Sequence, residues 1–336
     1  MKYLYVLTSN NYDYYLEQAL LSMTSLRMKM PNAFISLLVD NNTESTIAES
    51  RRNILDVVNE FKSITIENKF NQKARSRWLK TSMRQHIEDD FLYIDGDTII
   101  TDDLSSIQEK QMDIGAVLDS HINLSEKDKH FPIRLKNIKA LCPKLGITPE
   151  FNLNTYFNGG VMFCRDNKAG HDFFREWHRL WLKRFELGGL NDQSSLNLSN
   201  FVLGNIVKEL NGIWNCQIFE EGALKYLNEA KIIHYFSSRP GKKPYIPAND
   251  EFVDVIKKNG NVNDNIKELL KAPKSLFTAN TRLLLLEESS RSFYDSAFCG
   301  VAKRLFSTKF GTIIEFILSK VRKNFYTPIR KIFSKR

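Results

Sequence analysis

Asp95 and Asp97 are the side chains whose spacing most directly suggests chemistry, because they follow the apolar run 91–94 with only Gly96 between them. Two carboxylates at alternate positions can face one point, where they repel each other unless one is protonated. A divalent cation removes that repulsion and can also bind the oxygens of a diphosphate. The same residues fit a polar turn after a strand, since Asp and Gly are common turn residues. Both interpretations are open on this segment alone.

Two later segments supply groups that can surround such a site. Asn158 precedes Gly159 and Gly160 at the start of an apolar strand. Because glycine has no side chain, a sugar could bind directly against the backbone there. The two glycines also fit a tight turn before a core strand. Asp192 and Gln193 stand at a predicted helix start. Asp there caps the helix, or both side chains bind sugar hydroxyl groups.

A single histidine, His234, lies in the apolar run 232–236. A lone histidine in such a strand is usually a core residue with its own hydrogen-bond partner. Its imidazole can also complete a mixed oxygen and nitrogen site, for which Mn²⁺ or Mg²⁺ is the natural ion. The pair Trp214 and Asn215 adds an aromatic ring next to an amide, shortly before this run.

Alternating strands and helices are predicted to position these residues. Short apolar runs indicate strands, and apolar residues at helical spacing indicate the helices between them. The predicted strands cover residues 3–7, 34–39, 63–66, 91–94, 113–118, 158–164 and 231–236. The predicted helices cover residues 14–28, 43–61, 73–88 and 170–185. The alternation indicates an α/β fold with a Rossmann-like, mostly parallel sheet, helices on both faces and ligands at the carboxyl ends of the strands.

The net charge of +9 comes from the end of the chain. Residues 271–336 hold 14 Lys/Arg and 4 Asp/Glu, so the preceding residues are close to neutral. A nucleic-acid enzyme more often carries basic residues throughout its main domain, so we expect no nucleic-acid partner.

Residues 310–336 mix apolar and basic side chains at roughly helical spacing. This pattern favours contact with an anionic membrane surface over packing of the segment on the body.

We expect a catalytic domain over residues 1–250 and a helical C-terminal extension over residues 251–336, with a loop at 237–250 before the boundary.

No apolar run approaches the roughly 20 residues needed to span a bilayer. The first residues turn polar too early for a signal peptide, and four widely spaced cysteines indicate reduced thiols. The predicted location is therefore the cytoplasm, with peripheral attachment to the inner face of the membrane.

In their order, these motifs resemble the retaining nucleotide-sugar glycosyltransferases of the GT-A fold, closest to glycosyltransferase family 8. The resemblance covers roughly residues 3–245. It implies a metal-dependent hexosyltransferase that uses Mn²⁺ or Mg²⁺ and a nucleotide-sugar donor, with a UDP-sugar as the leading candidate. The implied acceptor is a glycan or glycolipid in the synthesis of surface polysaccharide or lipopolysaccharide.

The resemblance also implies a role for each matching residue. The loop that holds the nucleoside matches Thr8, Ser9, Asn11 and Tyr12, with Tyr12 stacked on the base. Residues that contact the donor match Arg77, Asp95 and, at the diphosphate, Lys243. The metal ligands match Asp95, Asp97 and His234. The residues around the reacting sugar and the acceptor match Asn158, Asp192 and Gln193.

Three other functions fit parts of the pattern. A haloacid-dehalogenase-type phosphatase also places two aspartates after an apolar strand, but its pattern requires Thr or Val where this chain has Ile99. A nucleotidyltransferase that makes nucleotide sugars would usually have a glycine-rich basic loop after the first strand, unlike residues 8–12 here. A catalytically inactive glycan-binding module would not need both aspartates and the histidine. The last two functions remain alternatives to sugar transfer.

Overall fold

The chain folds into two compact units, Met1–Asn280 and Thr281–Arg336. The computed structural model describes residues 1–122, 131–147, 155–218, 221–236, 246–277 and 297–306, and parts of 308–317. In these residues, no helix is both long enough and apolar enough to cross a membrane.

The division between the units comes after residue 280, whereas the sequence predicted it at residue 250. Helices over Asp250–Asn259 and Asp264–Lys271 belong to the first unit. Ile256 and Leu270 on these helices are buried in the same apolar cluster as the first strand. Both helices that follow residue 250 therefore pack within the first unit.

Two sheets form within the described residues. The strands are β1 (Lys2–Leu7), β2 (Ile35–Asp40), β3 (Glu60–Ile64), β4 (Phe91–Ile94), β5 (Thr98–Ile100), β6 (Ile114–Leu118), β7 (Phe157–Cys164), β8 (Lys208–Leu210), β9 (Cys216–Gln217) and β10 (Ile232–His234). The main sheet has the order β3-β2-β1-β4-β7-β6-β8, and the small sheet has the order β5-β10-β9. In the main sheet, β7 runs antiparallel to both its neighbours and the other pairs are parallel. The predicted mixed, mostly parallel sheet is confirmed.

Both faces of the main sheet are buried under helices. Within the described residues, the helices of the first unit are α1 (Tyr15–Lys29), α2 (Asn41–Glu44), α3 (Gln72–Ser82), α4 (Phe131–Leu145), α5 (Lys168–Glu186), α6 (Gln193–Val202), α7 (Leu224–Leu227), α8 (Asp250–Asn259) and α9 (Asp264–Lys271). A further helix, α10 (Ala297–Phe306), belongs to the second unit. Tyr3 and Tyr5 of β1 pack in one apolar cluster with α1, whereas Leu4 packs in another with α3. This alternation follows from the two-residue period of a strand.

The predicted helix over residues 43–61 is wrong. The chain forms only α2 there, then a 3₁₀ helix over Glu49–Asp56, and enters β3 at Glu60. Glu49 has a φ angle of 48°, in the left-handed region, so one regular α-helix cannot run through this position. The end of the segment then pairs with β2 as the edge strand of the sheet.

The small sheet brings distant parts of the chain together. β10 pairs antiparallel with β5, and His234 is directly opposite Thr98 in this pairing. Because Thr98 follows Asp97, the pairing carries the histidine to the segment after β4, beside Asp97, which is 137 residues away along the chain. The topology thereby builds one site from two remote motifs.

Candidate active site

The backbone around Asp95 and Asp97 is fixed by both sheets. The Asp95 N–H donates to the carbonyl of Gly160 on β7 (2.8 Å), and the Tyr235 N–H donates to the carbonyl of Asp97 (3.1 Å). The hydroxyl of Thr98 donates to the carbonyl of Asp95 (2.8 Å). The two carboxylates therefore project from a short segment that cannot shift without breaking sheet hydrogen bonds.

His234 completes a cluster with the two aspartates. Its Nε2 lies 3.1 Å from Oδ1 of Asp97 and 4.0 Å from Oδ2 of Asp95. One ligand atom from each of the three residues lies within 4.8 Å of the others. Two carboxylate oxygens and one imidazole nitrogen are a donor set suited to Mn²⁺ or Mg²⁺. The three residues that the sequence predicted as metal ligands are thus neighbours in space.

Gly160 makes room for this cluster. A Cβ atom built on it would lie 2.5 Å from Cε1 and 2.7 Å from Nδ1 of His234. Real side chains do not tolerate such contacts, so the imidazole occupies space that only glycine leaves open. The shape of the backbone and the chemistry of the donor set both fit a divalent cation at this point.

Asp192 lies at the start of α6 but does not cap the helix with its side chain. The neighbouring Asn191 accepts the Ser194 N–H instead (3.1 Å). One carboxylate oxygen of Asp192 lies 3.1 Å from Nε of Arg77, and the other lies 4.0 Å from Nζ of Lys80. Burial alone would raise the pKa of Asp192, but these cations hold it below its ordinary value. The carboxylate therefore stays ionised and faces the site.

Lys80 is a site residue that was not predicted from the sequence. Its Nζ donates to both oxygens of Asp95, at 3.0 and 3.2 Å, and lies over the ring of Tyr93. The Tyr93 hydroxyl donates to Oδ1 of the same carboxylate. Burial, followed by the charge of Asp95, raises the pKa of Tyr93 well above its ordinary value, so the hydroxyl keeps its proton. The three-residue spacing from Arg77 on α3 was the available signal.

A cavity of about 750 Å³ opens beside the cluster, a size typical of small-molecule sites. Eight of the predicted residues line it: Thr8, Arg77, Asp95, Asp97, Asn158, Asp192, Gln193 and His234. One face of α3 also lines it, with basic side chains at Lys73, Arg77 and Lys80. Two of these cations contact carboxylates of the site directly, Arg77 at Asp192 and Lys80 at Asp95.

The remaining predicted residues lie elsewhere. Ser9 is buried, and its hydroxyl donates to Asp13 (2.7 Å) and accepts from Arg51 (3.0 Å). Asn11 is exposed, and Tyr12 is 95% exposed. Neither these two nor Ser9 lines the cavity. Lys243 lies outside the described residues.

Gln72, at the start of α3, ties the predicted nucleoside loop to the cavity. Its amide nitrogen donates to Asp13, and its amide oxygen accepts from Asn10. Asp13 also accepts the N–H of Asn10 (2.9 Å). None of these three side chains was predicted from the sequence as a site residue. Their contacts form only when α3 packs beside the end of β1.

A family model described as a nucleotide-diphospho-sugar transferase matches residues 31–246, which is more than half of the chain. This chain belongs to that family. It is a glycosyltransferase of the GT-A fold, related to glycosyltransferase family 8, as the order of its motifs predicted. The matched segment of the transferase includes Asp95, Asp97, Asp192 and His234 and begins after the predicted nucleoside loop.

Solved structures show the same fold. An active-site mutant of LgtC matches the transferase with a TM-score of 0.52 at 16% identity, over 80% of this chain and 99% of that one. The galactosyltransferase LgtC in complex with donor and acceptor sugar analogues matches with a TM-score of 0.50 at 16% identity, over 87% of this chain and 99% of that one. A search of curated proteins finds no match to the transferase.

Proposed function

We propose that this glycosyltransferase uses a divalent cation, Mn²⁺ or Mg²⁺, to transfer a sugar from a nucleotide-diphosphate donor to a hydroxyl of a glycan or glycolipid. The observation that carries the proposal is the approach of His234 to Asp95 and Asp97 at one end of the cavity. A UDP-sugar is the donor that the family resemblance favours. The LgtC galactosyltransferase, which was solved with donor and acceptor sugar analogues, supports a sugar acceptor.

The cation would be held by Asp95, Asp97 and His234. When bound, it would neutralise charge that develops on the leaving diphosphate. Arg77 and Lys80 add two fixed positive charges close to these ligands, and Lys80 with the hydroxyl of Tyr93 holds one oxygen of Asp95 in place.

Retention of configuration at the sugar is part of the proposal. Among the described residues that line the cavity, the carboxylates are Asp95, Asp97 and Asp192. The first two are the proposed metal ligands, and Asp192 is paired with two cations. The amide of Gln193 is a poor nucleophile. These assignments favour attack by the acceptor hydroxyl on the same face as the leaving group, while Asp192 and Gln193 bind the hydroxyl groups of the sugar.

A thermal-shift screen of nucleotide sugars with and without MnCl₂ tests the proposal. A true donor stabilises the folded protein by mass action, and we expect that stabilisation to require the cation. The screen should include UDP-, GDP- and dTDP-sugars, so that the base is identified together with the sugar. Nucleotide sugars that raise the unfolding temperature by the same amount in EDTA as in MnCl₂ would contradict the metal requirement.

We further propose that the second unit attaches the enzyme to the cytoplasmic face of a membrane that carries the acceptor. Phe298, Val301 and Leu305 are exposed on one face of α10, at the spacing of a continuous helical stripe. Phe310 and Ile313 are also exposed, and the surrounding segment is strongly basic. Exposed apolar side chains next to clustered cations fit an anionic lipid surface.

Sedimentation with lipid vesicles tests this attachment. We expect the full chain to pellet with vesicles that contain phosphatidylglycerol, but not with pure phosphatidylcholine vesicles, and a chain without residues 310–336 to stay in solution. Phe310→Ser with Ile313→Ser keeps every charge and should weaken binding if the apolar side chains insert. Equal pelleting of the shortened chain would contradict the proposal.

A further inference from the structure

A buried chain of hydrogen bonds runs from strand β7 to the imidazole of His234. The N–H of Gly160 donates to Oδ1 of Asn158 (2.8 Å). Nδ2 of Asn215 donates to the same Oδ1 (2.9 Å). Oδ1 of Asn215 lies 3.1 Å from Nδ1 of His234. All four residues are buried, so water does not compete for these bonds.

The direction of each bond follows from the backbone at Gly160. A backbone N–H can only donate, so the Asn158 atom that faces it is the amide oxygen. The Asn215 atom that faces this oxygen must in turn be the amide nitrogen, which leaves the amide oxygen of Asn215 facing His234. An amide oxygen can only accept, so Nδ1 of His234 carries a proton.

We propose that Asn215 fixes His234 in the Nδ1–H tautomer and thereby keeps Nε2 available as a metal ligand. The inference rests on the metal dependence proposed above. In the neutral tautomer, Nε2 is an acceptor that faces carboxylate oxygens of Asp97 and Asp95, which are acceptors as well. A cation satisfies all three groups at once, and a hydrogen bond to the second ring nitrogen is how proteins orient a ligating histidine. Asn215 is therefore a positioning residue for the metal site.

The same bonds give Asn158 a second role beside the one implied by the family resemblance. Its Oδ1 accepts two hydrogen bonds, and its Nδ2 donates to Oδ1 of Asp119 (3.0 Å). Both amide atoms of Asn158 are thus engaged inside the protein. Through the two bonds at Oδ1, Asn158 links the backbone of β7 to the amide of Asn215, and it also lines the cavity.

Mn²⁺ binding to the full-length protein tests the inference, with free Mn²⁺ measured by electron paramagnetic resonance. In Asn215→Ala, Nδ1 loses its acceptor and the Nε2–H tautomer can form a hydrogen bond to Asp97. We expect the Mn²⁺ dissociation constant to rise by about 10- to 100-fold, the usual effect of removing such a partner. Asn211→Ala is the matched control, because Asn211 accepts the Ile213 N–H in the same loop without touching His234. Its Mn²⁺ affinity should equal that of the wild type.

Asn215→Asp separates control of the tautomer from simple packing. A carboxylate oxygen still accepts from Nδ1, but another faces the oxygen of Asn158, so we expect lower thermal stability with nearly unchanged Mn²⁺ affinity. Long-range ¹H–¹⁵N spectra of the Mg²⁺-loaded wild type, with His234 assigned by a His234→Gln variant, should show the proton on Nδ1.

Several outcomes would overturn the inference. A proton on Nε2 in the Mg²⁺-loaded wild type would do so, even if the Asn215→Ala variant fails to fold. Wild-type Mn²⁺ affinity in Asn215→Ala, or an equal loss in Asn211→Ala, would also overturn it while leaving the metal site intact. A wild-type protein without Mn²⁺ affinity would contradict the metal proposal itself, and the role of Asn215 with it.

Discussion

Gly160 shows how closely the cation site depends on single atoms. The missing side chain at this position leaves the space that His234 occupies, with a clash distance of 2.5 Å for an added Cβ. At the preceding residue, Gly159, an added Cβ would meet Leu196 at 3.3 Å, the end of a flexible side chain. A side chain at position 160 would thus displace the imidazole, whereas one at position 159 would only press on a flexible leucine.

Gly160→Ala should therefore weaken Mn²⁺ binding strongly, because the imidazole must move away from Asp97. Gly159→Ala is the matched control and should keep the Mn²⁺ affinity of the wild type. Calorimetric titration with MnCl₂ measures both. Equal affinities in the two variants would show that His234 is not held against the backbone of β7.

The ionised state of Asp192 should affect how stability depends on pH. Its pKa in the folded protein lies below the ordinary value of 3.8, so its contribution is fully present above that value and is lost as the pH falls through the folded pKa. We expect Asp192→Asn to lose less stability than the wild type between pH 5 and pH 3. Urea unfolding across this range measures the difference, with the exposed Asp56→Asn as control. Parallel curves for Asp192→Asn and the wild type would contradict this.

Residue types alone could predict the core of the site, but not the groups that support it. Asp95 and Asp97 were predicted because they follow an apolar strand as a pair and because the order of the later motifs matches the family resemblance. Lys80 was missed because a lysine in a helix reads as a surface residue until packing buries it. Asn215 was noticed beside Trp214, but its role depends on a hydrogen bond that forms only when the chain entering β9 lies beside β10.

At the scale of elements, a buried ion pair joins helix α3 to strand β2. Arg75 donates to Asp40 from a side chain that is 2% exposed, and it also donates to the Ile66 carbonyl (2.9 Å). This pair holds the helix that carries Arg77 and Lys80. The position of the cavity's basic face therefore depends on an interaction outside the cavity.

Arg75→Met should lower the free energy of unfolding by about 3–5 kcal/mol, because it leaves the Asp40 carboxylate buried without its cation. Lys168→Ala is the control, since it breaks the ion pair between Lys168 and Asp172 on the surface of α5 and should change stability far less. Guanidinium unfolding of both variants tests the comparison. A small loss in Arg75→Met would show that α3 is held mainly by its apolar face.

The apolar patterns predicted the strands that lie buried in the middle of the main sheet, and they failed for a segment whose apolar residues fit either a helix or a strand. β1 and β4 are short apolar runs, and both are strands as predicted. The segment 43–61 has apolar residues compatible with a helix, yet its end pairs with β2 at the sheet edge. Such pairing is a tertiary contact that a local pattern does not contain.

At the scale of the whole molecule, the first unit ends near residue 280 because α8 and α9 complete its core. A chain ending at Asn280 should keep the unfolding temperature of the first unit. A chain ending at Asp250 should lose the burial of Val253, Ile256, Ile266 and Leu270, each worth roughly 1.5–3 kcal/mol, and should aggregate. Circular dichroism and light scattering of the two chains test this. A stable, monomeric chain ending at Asp250 would restore the boundary predicted from sequence.

Composition along the chain predicted two regions with different charge, and the boundary predicted at residue 250 lies before α8 and α9. The basic segment after residue 271 stands out because charge is a property of the sequence itself. The boundary depends on which helices pack on the core, and the buried faces of α8 and α9 resemble those of any amphipathic helix.

The central claim is that Asp95, Asp97 and His234 hold a cation that binds the donor diphosphate. Calorimetric titration of UDP into the full-length protein, in MnCl₂ and then in EDTA, tests it most directly. We predict that UDP binds the wild type only in the presence of Mn²⁺ and that Asp97→Asn, with an unchanged unfolding temperature, does not bind UDP in either buffer. Equal UDP affinity of the wild type in MnCl₂ and in EDTA would contradict the account.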